Sequence, residues 1–140
     1  MIGTRKVVIV GLLLTLWNAM GLLSFVHDFT MTPADIARLP ANEAGMYMAM
    51  PHWEWVVYAV GTTVGTLGAL AMVARRAWAV PLSLICFAAV VIQFFTQYMT
   101  RDATGHTSPE AIGFAGLITL IAAMQFGFSW RWRRTGLLRA

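Results

Sequence analysis

The chain has one cysteine, Cys86, in 140 residues. A lone thiol excludes an internal disulfide and any C-x-x-C redox pair, and its place inside an apolar run reads as a small core residue. Charge is scarce as well. Asp, Glu, Lys and Arg make up 11% of the sequence, against about a quarter in soluble domains. Catalytic signatures are also missing. No G-x-S-x-G elbow, phosphate-binding loop or dinucleotide fingerprint occurs, and nothing marks a nucleophile. We read the chain as non-catalytic and without a cofactor.

What fills the sequence instead is apolar: 59% of residues are hydrophobic, and they gather into four runs. Val7–Val26, Trp55–Val73, Trp78–Met99 and Ala111–Trp130 are each long enough to cross a bilayer core, which takes roughly 20 helical residues. Little chain remains for a water-soluble unit, so residues 1–140 read as a single integral membrane domain with an outer loop over 28–52. Arg5 and Lys6 before "VVIVGLLLTLW" also fit a signal peptide. The apolar run continues past the possible Ala19-Met20-Gly21 cleavage site, so the segment reads as a retained helix.

The formal charge is +4, and its placement points to topology rather than to nucleic acid. Arg5 and Lys6 precede the first run, Arg75 and Arg76 join the second to the third, and Arg131, Arg133, Arg134 and Arg139 follow the fourth. Only Arg38 and Arg101 fall on the other side. The positive-inside rule then puts both termini in the cytoplasm. All six acids (Asp28, Asp35, Glu43, Glu54, Asp102 and Glu110) and all three histidines face outward. Such a bias argues against dual-topology insertion. Trp78, Trp130 and Trp132 mark the inner interface, and Trp53, Trp55 and Tyr98 the outer one.

The connections carry local signals. In "TPADIARL", Thr32 can cap, Pro33 can open a helix, Asp35 suits a first turn and Pro40 stops what begins there. The stretch predicts a short amphipathic helix of two turns with Ile36 and Leu39 on its apolar edge, followed by a methionine-rich return. Ser108, Pro109 and Glu110 form a plausible start to the fourth helix. The tight "ARRAWA" link forces antiparallel neighbours. Gly61, Gly65 and Ala69, with Gly68 adjacent, form a small-residue packing stripe for a partner inside or outside the chain. Gly113, Gly116 and Gly127 give a looser version on the fourth helix.

Polar groups inside a bilayer are costly unless they face protein or water. Trp17, Gly21, Ser24 and Asp28 share one helical stripe, Glu54, Tyr58, Gly61 and Gly65 a second, and Gln93, Gln97 and Thr100 a third. If they converge, Asp28, Glu54, Tyr58, Gln93, Gln97 and Thr100 build a polar pocket in the outer half, roofed by the first loop. The alternative is that they satisfy one another across helix contacts, the role we assign to Asn18 near mid-membrane.

A metal at the outer face is the weaker option. His27, His52 and His106 lie on one side with Asp28, Glu54 and Asp102, and imidazole plus carboxylate suits zinc, iron or manganese. His52 and Glu54, two apart, point away from each other on a regular helix, and no H-E-x-x-H or E-x-x-H spacing appears. Met46, Met48 and Met50 alternate in a way that could hold Cu(I). The absence of a glutamate inside the first helix lowers antiport in the style of small multidrug exporters.

"LWNAMG", "FTMTPADIARLP", "MPHWEWVVYAVG" and "ARRAWAVPLSLICF" resemble a largely uncharacterised family of small four-helix bacterial inner-membrane proteins, some labelled sugar transporters. The shared pattern is W-N-x-x-G, an M-T or M-D loop, P-x-W, and a basic pair followed by W-A, over roughly residues 12 to 90. The resemblance implies an integral inner-membrane protein and supplies no catalytic residues; Met46 and Met48 are not part of it. The expectation is an all-α bundle of four transmembrane helices. Its partners would be the lipid bilayer and other membrane subunits or itself. The favoured function is an accessory or assembly subunit of a larger membrane complex. The alternative is a small oligomeric transporter or solute-binding protein with an outward-facing polar pocket.

Overall fold

A computed structural model of the chain describes residues 2–101 and 108–140, with the side chains of Ile2, Thr100 and Arg101 excepted. The elements are α1 (Ile2–Phe29), α2 (Pro33–Ile36), α3 (Ala41–Ala49), α4 (His52–Val73), α5 (Ala79–Thr96), a π-helical turn (Gln97–Arg101) and α6 (Pro109–Arg134). Among the described residues there is no strand. Four helices are long and apolar enough to cross a membrane, the make-up of a multi-pass membrane protein. Each runs a few residues beyond the expected span except α5, where the regular helix stops at Thr96 and widens into the π turn.

The long helices pack in chain order. α1 lies against α4, α4 against α5 and α5 against α6, while α4 and α6 barely meet. The first two contacts are close because small residues line them. A Cβ on Gly11 would come within 2.9 Å of Val73 Cγ2 and 3.0 Å of Val73 N. One on Gly61 would sit 3.3 Å from Ala89 Cβ. One on Gly65 would run into Asn18 Oδ1 and lie 2.8 Å from Cys86 Sγ. Gly61, Gly65, Gly68 and Ala69 are all buried, so the stripe is used within the chain. Gly113, Gly116 and Gly127 on α6 have nothing within 4 Å of a built Cβ.

The end carrying Arg75, Arg76 and Arg139 closes by apolar packing. Val7, Leu14, Ala69, Met72, Val80 and Leu138 are buried together there, with Trp132 and Leu137 against them. The α4–α5 link holds Arg75 at φ 57°, a left-handed conformation that costs a non-glycine residue about 1–2 kcal/mol. The tail after α6 supports it. Arg139 N donates to Arg75 O at 2.7 Å, Ala77 N donates to Arg139 O at 2.6 Å, and Arg75 Nε donates to Leu137 O at 3.1 Å.

At the opposite, acidic end the connection between α1 and α4 departs from expectation. Thr32 caps α2 through a reciprocal box: Thr32 Oγ1 accepts from Asp35 N at 3.3 Å, and Asp35 Oδ2 accepts from Thr32 N at 2.9 Å. The helix lasts one turn and not two. The supposed methionine-rich return is itself helical. Pro40 stands as the N-cap of α3 rather than as a simple stop. Glu43 in the first turn favours the N-terminus of that helix, and Ala, Glu and Met are strong helix formers. Ser108 caps α6, its Oγ accepting from Ala111 N at 3.2 Å.

The glycine contacts generate a paired test. Gly65→Ala overpacks against Asn18 and Cys86, a class of change that costs about 1–3 kcal/mol, so its thermal unfolding midpoint in detergent falls. Gly116→Ala, on open surface, leaves the midpoint unchanged or raised.

Candidate functional site

α1 and α6 do not pack along their length; they meet through side chains. Trp17 and Phe114 approach with ring centroids 6.5 Å apart, and Asn18 Nδ2 donates to Gln125 Oε1 at 2.8 Å. The same Asn18 amide reaches Leu14 O at 2.7 Å. Gln125, 1% exposed, sends its Nε2 to Gly65 O at 3.1 Å and Ser83 Oγ at 3.3 Å. These bonds draw α1, α4, α5 and α6 together at one level. Beyond that level, toward the acidic end, the helices enclose a cavity of about 580 Å³.

The cavity has an apolar body and a polar end. Val90, Phe94, Phe114, Ala115, Ile118 and Ile121 line its sides. Asp28 from the last turn of α1, Tyr58 from α4, and Gln93, Gln97 and Tyr98 from α5 and the π turn line it too. Glu43, Met46, Tyr47 and Met50 reach it from α3 and its end, so this helix roofs the space. Met20, Ser24 and Phe114 line the cavity while remaining exposed. The space therefore reaches the surface at the seam between α1 and α6.

Tyr58 OH donates to Asp28 Oδ2 at 3.1 Å. The ring of Tyr58 lies 5.2 Å edge-on from Phe25 and 6.2 Å from Trp55, which also stacks on Tyr47 at 6.4 Å. Aromatic faces thus fix the side chains around the Asp28 carboxylate. Burial, and then the adjacent Asp28 charge, push the Tyr47 phenol up to about 12. At the rim, the cap bond from Thr32 holds the Asp35 carboxyl below the usual carboxylate range.

Of the six residues expected to form a pocket, Asp28, Tyr58, Gln93 and Gln97 line one cavity. Glu54 does not. It lies fully buried in the first turn of α4; four residues advance a helix by about 400°, so it is turned roughly 40° from Tyr58. The side chain of Thr100 lies outside the described residues. Gln93 Oε1 is buried with no hydrogen-bond partner among the described residues. Gln125, which no helical stripe singles out, proves to be the central polar residue; only its isolation in an apolar helix marked it.

Among the described residues no three His, Cys, Asp or Glu side chains come together as a metal-holding group. His52 is exposed at the start of α4. His27 is also exposed, with its Nδ1 3.3 Å from Asp28 Oδ1. His106 and Asp102 fall outside the described residues. The three loop methionines do not converge: Met46 and Met50 line the cavity, whereas Met48 is 76% exposed. Cys86 is buried beside Gly65. Trp55 is absorbed into the aromatic cluster, while Trp53, Trp78 and Trp130 remain about half exposed.

No family model, curated protein or solved structure matches the chain, so function has to be read from this geometry.

The raised Tyr47 phenol predicts a loss of stability at alkaline pH. The unfolded chain releases this proton near pH 10, and the folded chain holds it to about 12. The protonated form is favoured by folding, so its stabilising effect is complete below pH 10 and is lost as pH rises toward 12. Unfolding midpoints measured across that interval should fall less steeply in Tyr47→Phe than in the parent chain.

Proposed function

We propose that the chain is a small solute-binding protein of the bacterial inner membrane, which takes a molecule into the space between its four long helices. The observation that carries this reading is the cavity of about 580 Å³. Protein interiors pack with few voids larger than a water molecule, whereas small-molecule sites are mostly apolar spaces of about 300–1,000 Å³ with a few placed polar groups. The Asp28–Tyr58 pair and the Gln93 and Gln97 amides supply those groups. The orientation rests on charge: eight of the ten Lys and Arg residues lie at the end away from the cavity, and the positive-inside rule makes that end cytoplasmic. The cavity then opens toward the outer half of the membrane. No group here serves as a nucleophile in this reading, and the role is binding or transfer without bond chemistry.

One observation favours a second reading, an accessory subunit of a larger complex. A Cβ on the α6 glycines Gly113, Gly116 and Gly127 would meet nothing within 4 Å among the described residues. Small residues on an open helix face let a neighbouring helix approach closely.

Native mass spectrometry of the chain released from its own membranes in mild detergent tests both. The solute reading expects the chain to carry a bound small molecule. Ile118→Trp, which fills the cavity, should shed that molecule with little change in unfolding temperature. A bare parent chain overturns the reading, and a stoichiometric unrelated polypeptide beside it supports the subunit.

A further inference from the structure

The functional groups lining the cavity are unevenly divided between donors and acceptors of hydrogen bonds and between the two signs of charge. Asp28 and Glu43 both line it. Ionised carboxylates only accept. Gln93 adds a buried carbonyl oxygen, Oε1, with no hydrogen-bond partner among the described residues, and an acceptor left so keeps its desolvation cost uncompensated until something donates to it. Against these, no Lys, Arg or His stands among the described lining residues. Both oxygens of Asp28 already have a neighbour: the Tyr58 hydroxyl donates to Oδ2 at 3.1 Å, and His27 Nδ1, on the exposed side, lies 3.3 Å from Oδ1.

Aromatic faces accompany the carboxylate. Tyr47, Tyr58, Phe94 and Tyr98 line the same cavity, and a ring face attracts a cation within about 6 Å, most strongly where water is excluded. Further along the space the walls become aliphatic and aromatic: Val90, Ile118, Ile121 and Phe114. A ligand that matches both parts has a positive, hydrogen-bond-donating head and an uncharged apolar body. Anions meet two carboxylates, with no Lys, Arg or His among the described lining residues to balance them. Neutral hydrocarbons leave Gln93 Oε1 unsatisfied.

We propose that the cavity binds a protonated amine carrying an apolar body, with the ammonium between the Asp28 carboxylate and the aromatic rings and its N–H groups donating to Asp28 and to Gln93 Oε1. This rests on the solute-binding reading and narrows it to one class of ligand. Asp28 supplies the charge, Gln93 an acceptor, and Glu43, on the exposed side of the roof, draws the cation to the mouth.

Calorimetric titration of the purified full chain in a neutral detergent tests this with three probes of one shape: 4-phenylbutylammonium, the uncharged pentylbenzene and the anionic 5-phenylpentanoate. The ammonium should bind at least tenfold more tightly than the hydrocarbon, and the carboxylate more weakly than either. Asp28→Asn keeps an acceptor for Tyr58 and should cut ammonium affinity about tenfold while leaving pentylbenzene binding unchanged. Glu43→Gln, on the exposed surface of α3, should cut it two- to threefold with folding intact, and Gln93→Leu several-fold. Equal affinity for the ammonium and pentylbenzene, unaltered by Asp28→Asn and Glu43→Gln, overturns the amine assignment while leaving a solute cavity in place. Preference for the carboxylate overturns it in the same way. Failure of all three probes to bind, with Ile118→Trp indistinguishable from the parent chain, overturns the amine assignment and the solute reading together.

Discussion

The amide of Gln125 joins all four long helices. It accepts from Asn18 on α1 and donates to the Gly65 carbonyl on α4 and to Ser83 on α5. Interhelical bonds of this kind are worth about 0.6 kcal/mol each on average in a membrane, a modest sum. The cost of breaking the set is larger, because each buried partner left alone loses about 1–3 kcal/mol. The network therefore acts more on specificity than on gross stability. It fixes the register of four apolar helices whose side chains offer little else to choose between alignments. Gly65 makes it possible: a side chain there would occupy the space of the Asn18 amide.

That level also divides the bundle. On the basic side, close glycine contacts and the buried cluster around Met72 and Leu138 leave no room. On the acidic side, α1 and α6 are held apart by bulk, with Trp17 against Phe114, and α3 spans the gap. The cavity is thus the result of a seam that is closed at one height and roofed at the other. Its polar end follows from which residues the helices bring there: Asp28 at the close of α1, Tyr58 in the second turn of α4, Gln97 where α5 widens.

How much of this the sequence reveals depends on the range of the signal. The four spans are legible because length and hydropathy are local properties of each run. The internal stripes are legible in spacing, and four of their residues, Asp28, Tyr58, Gln93 and Gln97, line one cavity. Glu54 shares the Tyr58 stripe but is buried outside the cavity lining, since a shared stripe tolerates a drift of about 40°. The α3 helix was hidden because Pro40 reads equally as the end of one helix and the start of another. Gln125 was hidden for a different reason. A single glutamine in an apolar helix has no periodic companion, and its partners Asn18 and Gly65 are supplied by other helices.

The order in which the helices touch bears on how the chain assembles. Each long helix packs mainly against the one before it, so helices entering a membrane in turn can settle on a neighbour already present. The bonds of Gln125 to Asn18, 107 residues away, and to Gly65 and Ser83 must wait for the last helix. Until then Asn18 stands in the bilayer with its amide tied only to Leu14 of its own helix. Arrival of α6 removes that penalty and completes the walls of the cavity in one step. The cavity is the part of the molecule that exists last.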